Sequence, residues 1–306
     1  MSNNLEKFED VKSFDDAETM LIDEERVNDL KSLFSLWKRA HALEVEEWKE
    51  GLGKKGGVKD KRKPNTVPES FLDKMESAMK YSFCGDGYIG RACIDEKDYK
   101  NPEYSNMWDE EMEKPRKFTR FLILKEENHI QKEHEWEQVP NCYNSYYGEW
   151  AYKGTVKRQK IDKSGESKIE TVSAPATRLG KIVARCAGSW EKHTEKSEMQ
   201  EVMKKCAIIN VNKRGGGSKS DKSLANYFGK YKLFFLKEIN LLRSDSEPLE
   251  FFVFGKGVSY YGEMKKALKG HEQFGIHCKV YNLSHPARQM SDIDRKDEWE
   301  DAKKSV

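Results

Sequence analysis

The stretch Phe121-Leu-Ile-Leu-Lys-Glu-Glu-Asn-His129 decides how the chain can fold. Its first four residues form a short apolar run, which is typical of a buried β-strand. Polar residues from Lys125 to His129 follow this run directly. Open α/β sheets bind their ligands at the carboxyl ends of parallel strands. The stretch therefore predicts a buried strand that delivers polar side chains to a ligand site.

Three further apolar runs have the same character and predict three further strands. They extend from Cys206 to Val211, from Phe251 to Phe254 and from Val280 to Leu283. Segments with apolar residues at helical spacing, Leu224 to Ile239 and Tyr260 to Leu268, separate these runs. Strands that alternate with helices pair in parallel through crossover connections. The sequence predicts an α/β fold with a doubly wound, mainly parallel four-stranded sheet flanked by helices.

The remaining segments divide the chain into two predicted regions. Residues 1–80 form a helical N-terminal extension, because apolar residues recur at helical spacing from Leu21 to about Trp48. Residues 81–306 form the α/β domain. Within this domain, the basic segment from Lys157 to Ser173 is predicted to be a solvated loop, and the charged tail 291–306 is predicted to be peripheral.

Composition narrows the class of protein. The chain has 306 residues, of which 37% are hydrophobic and 35% charged, so its apolar residues must be concentrated in a few elements. Six cysteines are scattered without a C-x-x-C pair, which favours a reduced, cytoplasmic protein. The acidic N-terminus does not resemble a signal peptide, and no apolar run reaches the length of a membrane span. We expect a monomer without a metal ion or another cofactor.

Basic residues are distributed unevenly, although the formal net charge is only +2. Basic residues predominate from Lys153 to Lys168, and others surround the glycines 215–217. A solvated loop is the ordinary interpretation of one such segment, and it is the one favoured for Lys54 to Lys63. Several basic segments near polar strand ends fit a phosphate-binding face better.

The four strand ends, in their order, resemble the motifs of the uracil-DNA glycosylase superfamily over about residues 83–290. That family follows its first strand with Gly-Gln-Asp-Pro-Tyr-His or Gly-Glu-Ala-Pro-Gly, where this chain has Lys125 to His129. Its middle strand ends in a base-reading Asn, here Asn210. Its next strand closes with Trp-Gly or a similar pair, here Phe254-Gly255, and its last motif is His-Pro-Ser, here His285-Pro-Ala287.

Departures from the family motifs affect the expected substrate. Glu127 stands where the best-known branch has a water-orienting Asp, and His129 stands where that branch has a Tyr that excludes a methyl group. Lys125 replaces a glycine and Ala287 a serine, and Gln289 occupies the position of the Leu that wedges the duplex. The resemblance implies a modified base rather than uracil. It extends to bacterial glycosylases that defend against phage by excising hydroxymethylated or glucosylated cytosine.

The chemistry of base removal suits the residue types at these strand ends. Hydrolysis of an N-glycosidic bond develops positive charge on the sugar and negative charge on the departing base. Glu127 and Glu126 are candidates to stabilise the sugar or position water, and His285 is a candidate donor to a base oxygen. Asn210 has the donor and the acceptor needed to read a Watson–Crick edge, and His129 would lie beside the base.

Further residues are expected to hold the flipped base and the backbone of the DNA. Extraction of a base costs a few kcal/mol in a duplex, and phosphate contacts can offset that cost. Tyr146 and Trp150 are candidates for stacking on the base, although they fit a hydrophobic core equally well. The candidate DNA-binding residues are Lys213, Arg214, Gly216, Ser218, Lys219, Arg288 and Gln289.

The favoured function is that of a monofunctional DNA glycosylase, which leaves an abasic site. Three alternatives remain open: a nucleic-acid-binding protein that keeps the fold without the chemistry, a uracil-DNA glycosylase for repair, and an enzyme acting on a nucleoside or nucleotide. Each candidate residue also has a structural interpretation. Glu126 and Glu127 fit ordinary solvated or paired carboxylates, His285 fits a strand cap, and Asn210 fits a turn.

Overall fold

The computed structural model describes the chain in eleven segments. These segments are residues 8–54, 113–115, 117–126, 155–161, 167–173, 206–213, 224–245, 248–255, 260–274, 278–284 and 290–306. The strands are β1 (Arg120–Glu126), β2 (Thr155–Ile161), β3 (Ser167–Ser173), β4 (Cys206–Asn212), β5 (Glu250–Phe254) and β6 (Lys279–Leu283). The helices are α1 (Phe14–Ile22), α2 (Leu30–Lys54), α3 (Leu224–Leu242), α4 (Tyr260–Lys269) and α5 (Asp292–Lys304), with a 3-10 turn at Glu272–Phe274.

Four strands form one parallel sheet in the order β4-β1-β5-β6. Ile123 of β1 lies level with Ile209 of β4 on one side and with Val253 of β5 on the other. Each of the four apolar runs is therefore a strand, and the predicted α/β class with a mainly parallel sheet is confirmed. The residues Phe121 to Leu124 are all buried, and such a continuous apolar run is typical of a strand covered on both faces.

Helices α1 to α4 and one face of the sheet share a hydrophobic core. Trp37 of α2 packs against Tyr231 and Phe234 of α3, with ring centroids 6.2 and 5.5 Å apart. The N-terminal helices are therefore an integral part of the core beside the sheet. The domain boundary predicted at residues 80 and 81 lies outside the described residues.

The N-terminal helical region consists of two helices where the apolar spacing predicted one continuous helix from Leu21. Ser13 and Asp16 form a capping box that begins α1. The carboxylate of Asp29 accepts a hydrogen bond of 2.6 Å from the amide of Ser32, in the first turn of α2. A carboxylate in this position satisfies an amide that has no partner within the helix, so the second helix begins there.

Helix α5 covers part of the opposite face of the sheet, and the prediction of a peripheral tail is wrong. Trp299 is only 5% exposed; it stacks on Phe252 of β5 and packs at a tilt against Tyr281 of β6, at centroid distances of 5.8 and 5.4 Å. The sequence of α5 shows little apolar periodicity, because the helix also buries the charged residues Arg295 and Glu298.

Strands β2 and β3 form a separate antiparallel hairpin, and the prediction of a solvated loop from Lys157 to Ser173 is wrong. Val156 lies opposite Val172, and Arg158 lies opposite Glu170. β-Branched residues such as these two valines favour extended backbone. The many basic residues concealed this pattern in the sequence.

Candidate functional site

The carboxyl ends of the four parallel strands lie along one edge of the sheet, which we call the carboxyl edge. Glu126 at the end of β1 pairs with Asn212 at the end of β4, and Phe254 of β5 pairs with Leu283 of β6. From β1 the chain reaches β4 on one side and later β5 on the other, so the strand order reverses at β1. Ligand crevices of open α/β sheets form at such a reversal, beyond the carboxyl ends of the strands.

The structure describes three of the residues proposed from sequence, namely Asn210, Lys213 and the backbone of Glu126. Glu126 is the last residue of β1 and so belongs to the carboxyl edge. The other candidates lie outside the described residues: Glu127, His129, Tyr146, Trp150, Arg214, Gly216, Ser218, Lys219, His285, Arg288 and Gln289. Several of them nevertheless follow a described strand end closely in the chain.

Asn210 and Asn212 lie on the face of β4 opposite the core that contains α3. Side chains alternate between the two faces of a strand, and Ile209 and Val211 belong to that core. The two asparagines are 7% and 8% exposed, so little of either residue reaches solvent. An amide this well buried must be hydrogen-bonded, which restricts its orientation.

Lys213 is fully buried, which contradicts its predicted role in contacting DNA phosphates. Its Nζ lies 2.8 Å from Oε2 and 3.0 Å from Oε1 of Glu238 in α3, and both side chains are 0% exposed. The same Nζ donates a hydrogen bond of 2.9 Å to the backbone carbonyl of Asn210. An ammonium group enclosed in this way cannot reach a phosphate at the protein surface.

Aromatic residues complete the surroundings of Lys213. Its Nζ lies 5.1 Å from the ring centroid of Trp37 and 5.9 Å from that of Phe34, within the range of cation–π attraction. Its backbone amide donates to the hydroxyl of Tyr227 over 3.3 Å, and that hydroxyl is 2.9 Å from Nε2 of His41. The end of β4 is therefore joined to both α2 and α3.

The sequence contained a signal for the burial of Lys213. The residue continues the alternation of Ile209 and Val211, which points it toward the helices rather than toward solvent. Glu238 occupies a core position of α3, between Phe234 and Leu242. A charged residue on the apolar face of a helix indicates a buried partner of opposite charge.

Helix α5 contacts the end of β6 through a residue that the sequence analysis missed. Glu298 accepts hydrogen bonds from the amide of Ser284 over 3.1 Å and from its hydroxyl over 2.6 Å. Both residues are buried, and Ser284 directly precedes His285 in the chain. The carboxylate thus fixes the backbone from which the His285 segment begins. The charged sequence of α5 offered no indication of this contact.

The described residues contain no set of three or more His, Cys, Asp or Glu side chains arranged to hold a metal ion. Two cysteines, Cys206 and Cys278, are described, and both are buried thiols. Burial raises the pKa of Cys206 to about 12, so its thiolate is not populated near neutral pH. No described helix is both long enough and apolar enough to cross a lipid bilayer.

Comparisons with protein-family models, with curated proteins and with solved structures gave no match for this chain. Three strands of the parallel sheet bring polar residues to its carboxyl edge, and they end near Glu126, Asn210 and Ser284.

Proposed function

We propose that the chain is a monofunctional DNA glycosylase that removes a modified base and leaves an abasic site. The parallel arrangement of β1, β4, β5 and β6 is the observation that supports this proposal most. The four segments that resemble the uracil-DNA glycosylase superfamily each include or follow the end of one of these strands. In a parallel sheet such segments begin at the same edge, where one substrate can contact all of them.

The proposed reaction adds water to C1′ of the deoxyribose and breaks its bond to the base nitrogen. The base leaves with the bonding electron pair, and the proton released by water neutralises the departing base. Glu127 orients the water or stabilises the positive sugar, with Glu126 beside it at the end of β1. His285 donates a hydrogen bond to the oxygen on which negative charge develops.

The proposed substrate is a cytosine with a hydroxymethyl or glucosylated hydroxymethyl group at the 5-position. His129 occupies the position at which the resembling branch excludes a methyl group with Tyr. Imidazole is smaller than phenol and has polar nitrogens, so it leaves room for a hydroxylated substituent and can bond to it. Asn210 would read the Watson–Crick edge of the same base.

The direct test is to incubate the protein with genomic DNA containing unmodified cytosine, 5-hydroxymethylcytosine, glucosylated 5-hydroxymethylcytosine or uracil. We expect release of the free 5-substituted base, identified by mass, together with alkali-sensitive abasic sites. Efficient release of uracil alone would indicate the repair glycosylase. DNA binding without release of any base would indicate the non-catalytic protein and would refute the proposal.

His285→Ala is the variant that tests the proposed catalytic group. The loss of one preorganised donor typically lowers the rate about a hundredfold to a thousandfold, so base release should fall by that factor while DNA binding persists. His271→Ala is the matched control, because His271 precedes the amino end of β6 and stacks on Phe274. Near-normal turnover in His285→Ala would remove this residue from the mechanism.

A further inference from the structure

We infer that Lys213 is a positioning residue, whose ammonium group fixes the backbone of β4 from which the side chain of Asn210 projects. The functional part of this inference rests on the proposed function, in which Asn210 reads the base. Lys213 itself would touch neither the substrate nor water, since it is 0% exposed.

The end of β4 is attached to the helices at two points. Nζ of Lys213 donates to the carbonyl of Asn210 over 2.9 Å, and the amide of Lys213 donates to the hydroxyl of Tyr227 over 3.3 Å. In the first of these bonds, the side chain of Lys213 binds the backbone of a residue three positions earlier in the chain. The four residues from Asn210 to Lys213 are thereby held as a short rigid unit.

The location of β4 in the sheet explains why such attachments matter. β4 is the edge strand of the four-stranded sheet and pairs only with β1 among the described strands. Backbone pairing therefore restrains it from one side. The bonds made by Lys213 supply restraint from the helical layer, at the carboxyl end, where a base-reading side chain needs a fixed direction.

The chemical nature of the Lys213–Glu238 pair favours positioning over stabilisation. A buried ion pair is often no more stabilising than two apolar residues of similar volume. The pair nevertheless provides a hydrogen bond directed at a single carbonyl, which apolar residues cannot make. Glu238 holds Nζ of Lys213 at 2.8 Å within an apolar environment that includes Trp37, 5.1 Å from Nζ.

The test is the double variant Lys213→Met/Glu238→Leu, which replaces both charges by apolar side chains and so avoids an uncompensated buried charge. The matched control is Arg120→Met/Glu250→Leu, which removes a 2.9 Å ion pair at the opposite, amino edge of the same sheet. Three properties would be measured for each: the urea unfolding midpoint, the rate of base release, and the side-chain amide resonances of Asn210 in isotope-labelled protein without DNA.

We expect both double variants to remain folded, with base release reduced about a hundredfold only in Lys213→Met/Glu238→Leu, as for a small misplacement of a reacting group. Only this variant should shift the Asn210 amide resonances. An unchanged Asn210 spectrum together with a normal rate would overturn the inference. If the wild-type protein released no base, the proposed function would fail, and the Asn210 resonances alone would decide whether Lys213 positions that residue.

Discussion

Among individual residues, Lys213 and Glu238 should have a non-additive effect on stability. Removal of one partner leaves the other charge buried and uncompensated, so Lys213→Met or Glu238→Leu alone should lower the free energy of unfolding by about 3–5 kcal/mol. The double variant should recover most of this loss. Urea unfolding of the three variants forms a double-mutant cycle, and additive single effects would contradict the buried pairing seen at 2.8 Å.

Because Lys213 is buried, we expect Arg214 but not Lys213 to contribute to the salt dependence of DNA binding. Neutralising Arg214 should reduce the salt dependence of binding by about one unit of the log–log slope, as one lost phosphate contact does. The double variant Lys213→Met/Glu238→Leu should leave the slope unchanged, because the ammonium group that it removes is already enclosed in the wild-type protein. Fluorescence anisotropy with a DNA duplex over a range of salt concentrations measures both slopes. An equal reduction in the two variants would contradict the burial of Lys213.

Among the secondary-structure elements, α5 is the one whose role the sequence conceals most. Trp299→Ala should lower the free energy of unfolding by about 3–5 kcal/mol, because it removes a buried indole that packs against Phe252 and Tyr281. Ile293→Ala on the same helix is the control, since Ile293 is 73% exposed and should change stability by less than about 0.5 kcal/mol. Equal effects of the two substitutions in urea unfolding would contradict the docking of α5.

The molecule as a whole should unfold with α2 and the sheet in one transition, because their residues share a hydrophobic core. In hydrogen exchange, amides of α2 and of β4 should therefore show similar opening free energies.

The thiol of Cys206 should react with an alkylating reagent only as this transition occurs, since burial raises its pKa to about 12. Trp37→Ala should weaken the protection of both elements together. Loss of α2 protection at a lower urea concentration than Cys206 labelling would indicate separate units.

The sequence by itself determined the class of fold. Phe121 to Leu124 and Phe251 to Phe254 are continuous apolar runs, which are typical of strands covered on both faces. Cys206 to Val211 and Val280 to Leu283 share this character except at Asn210 and Asn282. Their alternation with helices made parallel pairing the expected arrangement. Polar residues at the strand ends then indicated which edge of the sheet would carry a ligand site.

Only the tertiary structure decided the environment of single charged residues. The alternation along β4 indicated that Lys213 faces the helices, but it did not identify the partner, because Glu238 lies 25 residues away in the chain and 2.8 Å away in space. Glu298 is likewise 14 residues from Ser284, which it binds. The free energy of a charge depends on its distance from partners and from water. Local sequence patterns do not contain those distances, and they arise only when the helices pack on the sheet.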